Sequence, residues 1–329
     1  MEQIDILLAT YNGEKYIKEQ LNSILNQTYK NFRLLISDDC SKDSTRQILQ
    51  EYEKKDTRIK VYYQEKNLGY VKNFEFLLKQ VQNEIYALSD QDDIWLPEKI
   101  EKTYNKLKQT HSDLVFTDLE VVNEKLETIE PSFNDFMKLT RKIQKYKQSY
   151  KMQYLYNCIT GCTLMSKKKY IEKIIPIPTN SKYVIHDTWI GVIVSLYGKV
   201  EYLNEKTIKY RQHGNNQVGT EKISHKFTKL EQVRNLFIEV KEGLFTTYVE
   251  NERIFKENLK QQNKEALEYF KMIKGKKYIN FKGWKTFHKL YKNETSSYYI
   301  QNFAIMNLPV FVTGMFDIRN LVLKLLKKR

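Results

Sequence analysis

Ser89-Asp90-Gln91-Asp92-Asp93 puts three carboxylates within four positions, directly behind the apolar run 85–88. Like charges that close repel one another, and a fold tolerates the crowding poorly unless a cation sits among them. Aspartate oxygens are hard ligands suited to Mg2+ or Mn2+, ions that bind one or two carboxylates together with phosphate oxygens. An ion held there would act as a Lewis acid and neutralise charge building on a diphosphate leaving group. The competing reading is an acidic surface turn capping a helix near Pro97. The position after an apolar strand, with Ile94-Trp95-Leu96-Pro97 behind it, favours chemistry. Asp38 and Asp39 end a second apolar run in the same way. A carboxylate there can accept hydrogen bonds from a base N–H or a ribose hydroxyl, or close an ordinary Asx turn.

Such side chains need a scaffold that brings strand ends together. Residues 4–9 read as a buried strand, after which Tyr16, Ile17, Leu21, Ile24 and Leu25 recur at helical spacing. Residues 32–36 form a second strand. Ser41-Lys42-Asp43-Ser44-Thr45 then supplies helix-capping types, and Ile48, Leu49 and Tyr52 continue the helix. A third strand spans 59–63, and Phe74, Leu77, Leu78 and Val81 give the next helical stripe. Residues 85–88 are a fourth strand and 114–117 a fifth, after a helix opening at Pro97. This alternation predicts an α/β fold, a mostly parallel sheet with helices on both faces. Ligands of such sheets bind beyond the carboxyl ends of the strands. The polar clusters 10–14, 37–43, 67–73 and 89–93 all fall there.

Further along, residues 124–152 are polar and Lys-rich and read as a helical or irregular insertion. Order returns at 157–165 and 186–197, and the runs 200–203 and 207–211 read as two strands. From 224 to 292 the pattern is helical and strongly charged. The tail holds an apolar stretch, 303–316, interrupted by Pro309 and Gly314, then the amphipathic 318–326 and Lys327-Lys328-Arg329. That stretch is too short to span a bilayer. The division expected is a nucleotide-binding domain over 1–220 and a helical, basic region over 221–329.

A chain of 329 residues with 24 tyrosines and 16 phenylalanines is neither disordered nor, with eleven glycines and five prolines, collagen-like. Three cysteines are too few for a disulfide framework, and the odd number fits a reducing compartment. The N-terminus opens on a strand-like run without the basic and apolar regions of a signal peptide, so none is expected. The net charge of +15 is uneven: residues 220–329 hold 22 Lys and Arg against 11 Asp and Glu. No zinc-finger spacing, aromatic RNP pattern or Gly-x-x-Gly loop accompanies it, so no nucleic-acid partner is expected. A solvated helical face and contact with an anionic membrane surface both stay open.

Several familiar signatures are missing. G-x-G-x-x-G does not follow the first strand, and neither G-x-x-x-x-G-K-[ST] nor G-x-S-x-G occurs, so metal and side chains would have to hold the phosphate. What is present is a set. Thr10-Tyr11-Asn12-Gly13-Glu14, the run from Ser37 through Asp38, Asp39 and Cys40 to Thr45, Asn67-Leu68-Gly69, and Ser89 through Trp95 stand in the order and spacing of family 2 glycosyltransferases of the GT-A fold. The resemblance covers residues 1–220 and is similar in pattern to bacterial rhamnosyltransferase-like enzymes that build capsule, O-antigen or cell-wall polysaccharide.

The resemblance implies roles position by position. Thr10, Tyr11 and Glu14 match the first loop cradling the nucleotide base, and Asp39, or in its place Asp38, the carboxylate that reads the base. Asn73 would approach the nucleotide. Asp90 matches the first acid of a D-x-D motif, near ribose and metal; Asp92 matches the metal ligand proper, and Asp93 the family's extra acid. His186-Asp187-Thr188-Trp189 resembles the motif supplying the catalytic base, here Asp187, which could equally cap its helix. In the late loop Tyr210-Arg211-Gln212-His213-Gly214-Asn215-Asn216, His213 would add a metal ligand and Arg211 meet the diphosphate. Asn157 through Cys162 resembles a small-residue segment flanking the acceptor. Trp95 and Trp189 could pack a sugar face or simply fill the core.

The expectation is therefore an inverting glycosyltransferase dependent on Mg2+ or Mn2+. It would move a sugar, rhamnose among the candidates, from a nucleotide-diphosphate sugar to a growing, lipid-linked cell-surface glycan. The enzyme would be cytoplasmic, with its basic tail peripheral at the inner membrane face. The rival from another class is a catalytically silent nucleotide- and lipid-binding scaffold of a polysaccharide assembly complex.

Overall fold

The first strand, β1 (Ile4–Thr10), is buried along nearly its whole length. Continuous apolar burial of that kind belongs to a strand covered on both faces, as parallel strands are. The computed structural model describes residues 2–137, 139, 140, 143, 158–179, 184–214, 230–274, 285 and 288, with side chains of its long C-terminal helix described from Ile238.

After β1 come α1 (Ile17–Leu25), β2 (Phe32–Asp38), α2 (Thr45–Lys55), β3 (Ile59–Tyr63), α3 (Tyr70–Lys79) and β4 (Ile85–Ser89). Each helix turns an apolar stripe to the sheet; α1 buries Ile17, Leu21 and Ile24, the residues that recur at helical spacing. Every crossover returns parallel, so the strands lie side by side in the order β3-β2-β1-β4. Their register aligns the carboxyl ends. Thr10 pairs with Asp38 and Asp38 with Tyr63, so β1, β2 and β3 end level, while β4 ends two residues earlier with Ser89 opposite Leu8.

The second half departs from the expected pattern. The order continues through β8 (Met165–Lys167), β6 (Leu114–Val122) and β9 (Val200–Arg211) to β5 (Ile94–Trp95), with β7 (Thr128–Glu130) on β6. The short β8 runs antiparallel to both β4 and β6, which makes the sheet mixed. The expected strands 200–203 and 207–211 are one strand, because the polar residues between them are absorbed where its register against β6 shifts around Asp118. The expected insertion begins as the β6–β7 hairpin and the short helix Phe133–Phe136, tied down by buried Asp118. Its carboxylate accepts the Ser132 hydroxyl at 2.5 Å and the Leu119 and Asn134 amides at 2.8 and 3.1 Å. Trp95 and Trp189 are core residues rather than open sugar platforms, at 2 and 0 % exposure.

Contacts divide the chain into one compact unit of Met1–Thr179 with Ile185–Asn216 and another of Asn180–Val184 with Gln217–Arg329. The second contains the helices Leu230–Glu250 and Glu257–Ile273, whose Phe245 and Phe270 rings stack at 5.7 Å. No helix among the described residues is long and apolar enough to cross a membrane. The apolar tail 303–316 and its basic end lie outside the described residues.

Asp113 fastens the mixed half. Its carboxylate accepts the Lys199 amide at 2.9 Å and pairs with Lys167 and Lys169 at 3.1 and 2.7 Å. Burial pushes this carboxyl up, but the Lys169 ammonium, the Lys199 amide and Lys167 outweigh it and bring it to about 2. A depressed carboxyl contributes stability in full above its unfolded value of 3.8, and loses it as pH falls toward 2. Asp113→Asn should cost about 1 kcal/mol at pH 7. It should also flatten the loss of stability between pH 4 and pH 2, measured by urea unfolding across that window.

Candidate functional site

The carboxyl ends of β2, β1 and β4 deliver three loops to one edge of the sheet. The first loop, 10–14, is fixed by side chains because its backbone turns with Asn12 at a φ of +47° and leaves amides outside any ladder. The Asn12, Gly13 and Glu14 amides donate to Ser41 Oγ, Thr45 Oγ1 and Asp43 Oδ2 at 2.9, 2.8 and 3.1 Å. In return Lys42 N donates to Asn12 Oδ1 and Ser44 N to Glu14 Oε2, each at 2.8 Å. The Glu14 carboxylate thus braces the loop before α2. Thr10 is buried with its hydroxyl on Gln91, while the Tyr11 ring is 44 % exposed and open to a planar ligand.

Asp38 and Asp39 are both buried but differently engaged. Asp38 Oδ2 takes Arg46 Nε at 2.6 Å and the Ser41 amide at 3.1 Å, leaving Oδ1 buried without a hydrogen bond. The Asp39 oxygens accept the Leu68 and Gly69 amides at 2.6 and 2.9 Å. Gly69 carries a φ of +79°, a conformation that favours glycine and lets the chain swing into α3. One turn on, buried Asn73 donates to the Ser37 carbonyl at 2.9 Å and keeps its Oδ1 unpaired.

The acidic loop after β4 carries the strongest electrostatic signal. Burial, then the charges of Asp92 and Asp187, push the Asp90 carboxyl up to about 7, against a Cys162 hydrogen bond. Asp93 is fully buried and raised well above the ordinary range by burial and by Asp92 and Asp90. Its Oδ2 has no hydrogen bond. Cys162 lies against both; burial and their charges push the thiol up, so it stays protonated and donates. Ligand atoms of Asp90, Asp93 and Cys162 lie within 4.8 Å of one another. Asp92 Oδ2 is paired instead with His213 Nε2 at 2.9 Å. The structure therefore groups Asp90 with Asp93, and Asp92 with His213, where the sequence suggested Asp90, Asp92 and His213 together.

Arg211, expected at the diphosphate, lies behind this loop with its side chain 3 % exposed. Nε donates to the Asp92 carbonyl at 3.0 Å and Nη1 to the Glu124 carbonyl at 3.1 Å. Nη2 pairs with Glu19, and the guanidinium lies over the Tyr16 ring. Its position at the end of β9, an edge the sequence could not place against the acidic loop, accounts for this. Asn215 and Asn216 lie outside the described residues, as does Asn157.

Asp187 sits in the first turn of the helix His186–Tyr197, where its charge suits the helix dipole. Its oxygens accept the Thr188 and Gly161 amides at 2.5 and 3.0 Å. Beside it His186, to which the sequence alone assigns no role, stacks on Phe74 at 4.0 Å with both ring nitrogens buried and unpaired. A Cβ on Gly161 would lie 3.0 Å from His186 Nε2, so the segment 158–162 must be small there. The site residues form a closed ring of contacts: Asp39 to Gly69, α3 to His186 and Asp187, Asp187 by charge to Asp90, and Gln91 through Thr10 back to Asp39.

A family model described as glycosyl transferase family 2 matches residues 5–173, over half the chain and all three loops. The chain belongs to glycosyl transferase family 2. Among relatives, the dTDP-rhamnosyl transferase RfbG of Shigella flexneri is 32% identical over 69% of this chain and 79% of its own. The solved structure of S. aureus TarS 1-349 in complex with UDP-GlcNAc superposes with a TM-score of 0.55 at 18% identity, covering 92% of this chain and 78% of that one. Mannosyltransferase PcManGT from Pyrobaculum calidifontis, in complex with GDP-Man and Mn2+, gives 0.53 at 12% identity over 99% and 80%. These likenesses show the GT-A fold, and the mixed sheet with its flanking helices is that fold in this glycosyltransferase.

The donor set fits a hard divalent cation: mutually repelling carboxylates, Asp93 buried with an orphaned oxygen and Asp90 half-buried beside it. In its absence the family 2 enzyme carries the repulsion as a stability cost. Native Asp90 keeps a proton up to about pH 7 that the unfolded chain releases near 3.8, so the native state binds more protons across this window. Stability of the cation-free protein should fall as pH rises through it. At pH 8 Asp90→Asn should raise cation-free stability by about 1 kcal/mol, read from melts in EDTA at pH 5 and pH 8.

Proposed function

We propose that this glycosyltransferase is inverting and metal-dependent, and that it transfers a sugar from a nucleoside-diphosphate sugar to a hydroxyl of a growing cell-surface polysaccharide. The observation that carries the reading is the cluster behind β4, where ligand atoms of Asp90, Asp93 and Cys162 lie within 4.8 Å of one another and burial, then the charges of Asp92 and Asp187, raise the Asp90 carboxyl. Residues from two remote stretches thereby share one electrostatic neighbourhood, with the base candidate on one side and the cation seat on the other.

The chain's own groups divide the work. The Tyr11 ring offers a face to the base, and Asp39, with Asp38 beside it, offers carboxylate oxygens to base or ribose donors, while Asn73 holds an unpaired acceptor nearby. Asp90 and Asp93, with Asp92 and His213 in reach, would hold Mg2+ or Mn2+, which when bound neutralises charge developing on the diphosphate. Arg211 keeps the acidic loop in place from behind. Asp187, held by the Gly161 and Thr188 amides, accepts the proton of the acceptor hydroxyl as its oxygen attacks the anomeric carbon. The new C–O bond forms opposite the bond to phosphate as that bond breaks, which inverts the anomeric centre. Likeness to RfbG supports a rhamnosyl donor, and the basic residues 220–329 support a lipid-linked acceptor met at the anionic inner membrane face.

Mn2+ with UDP, GDP or dTDP should raise the melting temperature by mass action, the responsive base naming the donor class. Asp187→Asn should lower transfer by about 10²–10⁴-fold while leaving nucleoside-diphosphate binding unchanged. Full transfer activity in that variant would assign the base elsewhere. No transfer by either protein, with nucleotide still bound, would favour the silent scaffold. The full chain should sediment with anionic vesicles and not with neutral ones, the bound fraction falling as salt rises.

A further inference from the structure

Gln91 is the middle residue of the acidic loop, and its side chain turns away from the neighbouring aspartates toward the first loop. Its Oε1 accepts the Thr10 hydroxyl at 2.6 Å and the Tyr11 amide at 2.9 Å. Its Nε2 donates to the Tyr11 carbonyl at 3.1 Å. The carboxamide thus pairs with the Tyr11 backbone on both sides, as a neighbouring strand would, just where the β1–β4 ladder has ended at Leu8 and Ser89. Described hydrogen bonds between the two loops all run through this side chain. Gly13 completes the fit, since a Cβ there would collide with the Gln91 carboxamide.

We propose that Gln91 is a positioning residue: it fastens the loop presenting Tyr11 to the loop presenting Asp90 and Asp92, and so sets the distance between the nucleoside seat and the diphosphate seat. The inference rests on the proposed function, in which one donor spans both loops. Only a primary amide of this length serves, because the Tyr11 backbone offers a donor and an acceptor together. A glutamate would face the Tyr11 carbonyl with a second acceptor and add charge to a loop already crowded with carboxylates. The Gln91 carboxamide is engaged by Thr10 and Tyr11, so its loss should act on donor binding and not on the chemical step.

Steady-state kinetics of Gln91→Ala, Gln91→Glu, Gly13→Ala and the Gly13→Ala/Gln91→Ala double variant tests this. Gln91→Ala should raise KM for the nucleotide sugar about tenfold and leave kcat within about twofold, as loss of hydrogen bonds that order a loop would. Gln91→Glu should raise KM further. Gly13→Ala should reproduce the defect by expelling the carboxamide and add little once Gln91 is already alanine, when only the approach to Thr10 Oγ1 remains; the rise in KM at constant kcat is what a merely structural role would not give. Mn2+ affinity without nucleotide, followed by the EPR signal of the free ion, should be unchanged in Gln91→Ala. Unchanged KM, equal falls in kcat and kcat/KM, or additive effects in the double variant would overturn the proposal while the proposed function stood. A wild-type protein that binds no nucleoside diphosphate would overturn both, and that control is read first.

Discussion

Mutual repulsion among carboxylates gathered at one sheet edge is the constraint around which the molecule is built. Asp93 is drawn out of water, Asp90 half-buried and Asp92 stand beside it, and Asp187 adds its charge from the helix His186–Tyr197. A protein selected only for stability would not keep such an arrangement, because each buried like charge raises the cost of the next. The fold relieves part of it with neutral donors: the Cys162 thiol on Asp90 and Asp93, the Arg211 amide on Asp93 at 3.3 Å, and the amides on Asp187. The remainder is repulsion that a bound cation would offset.

Holding those charges together requires a rigid frame, and the chain supplies it with side-chain hydrogen bonds instead of glycine-rich turns. Three parallel strands lie side by side, and the loops they feed are laced by Ser41, Thr45, Asp43 and Glu14 on one flank and by Gln91 on the other. The loops are thereby shaped before any ligand arrives, so little binding free energy would go to ordering them. Lys99 adds a buried cation under the site, its ammonium 4.8 Å over the Trp95 ring and lowered to about 8 by burial.

Much of this was readable in one dimension. β1 and β4 announce themselves as largely apolar runs because they are buried along nearly their whole lengths, and the loops after them as polar clusters at fixed places. The Asp90–Asp93 cluster was visible because carboxylates crowded behind an apolar run are costly without a purpose, and Asp187 through the resemblance of its motif to the family's. The antiparallel β8 was not, since three residues carry no periodicity, and its pairing with β4 and β6 depends on contacts far along the chain. Long-range partnership also hid the placement of Arg211 behind the acidic loop, the bracing role of Glu14, and the fit of Gln91 against Gly13. A glutamine between aspartates looks inert until the residue opposite it is known. His186 was overlooked for the same reason: its unpaired nitrogens are a property of burial beside Phe74 and Gly161, not of its neighbours in sequence.

The central claim is that the acidic cluster and the nucleoside loops serve one ligand through a shared cation. Calorimetric titration with the responsive nucleoside diphosphate, in Mn2+ and again in EDTA, tests it most directly. The account predicts binding at least about tenfold tighter with Mn2+ in the wild-type chain, a difference of about 1.4 kcal/mol, and loss of that difference in Asp92→Asn. Equal affinity with and without the ion would contradict it.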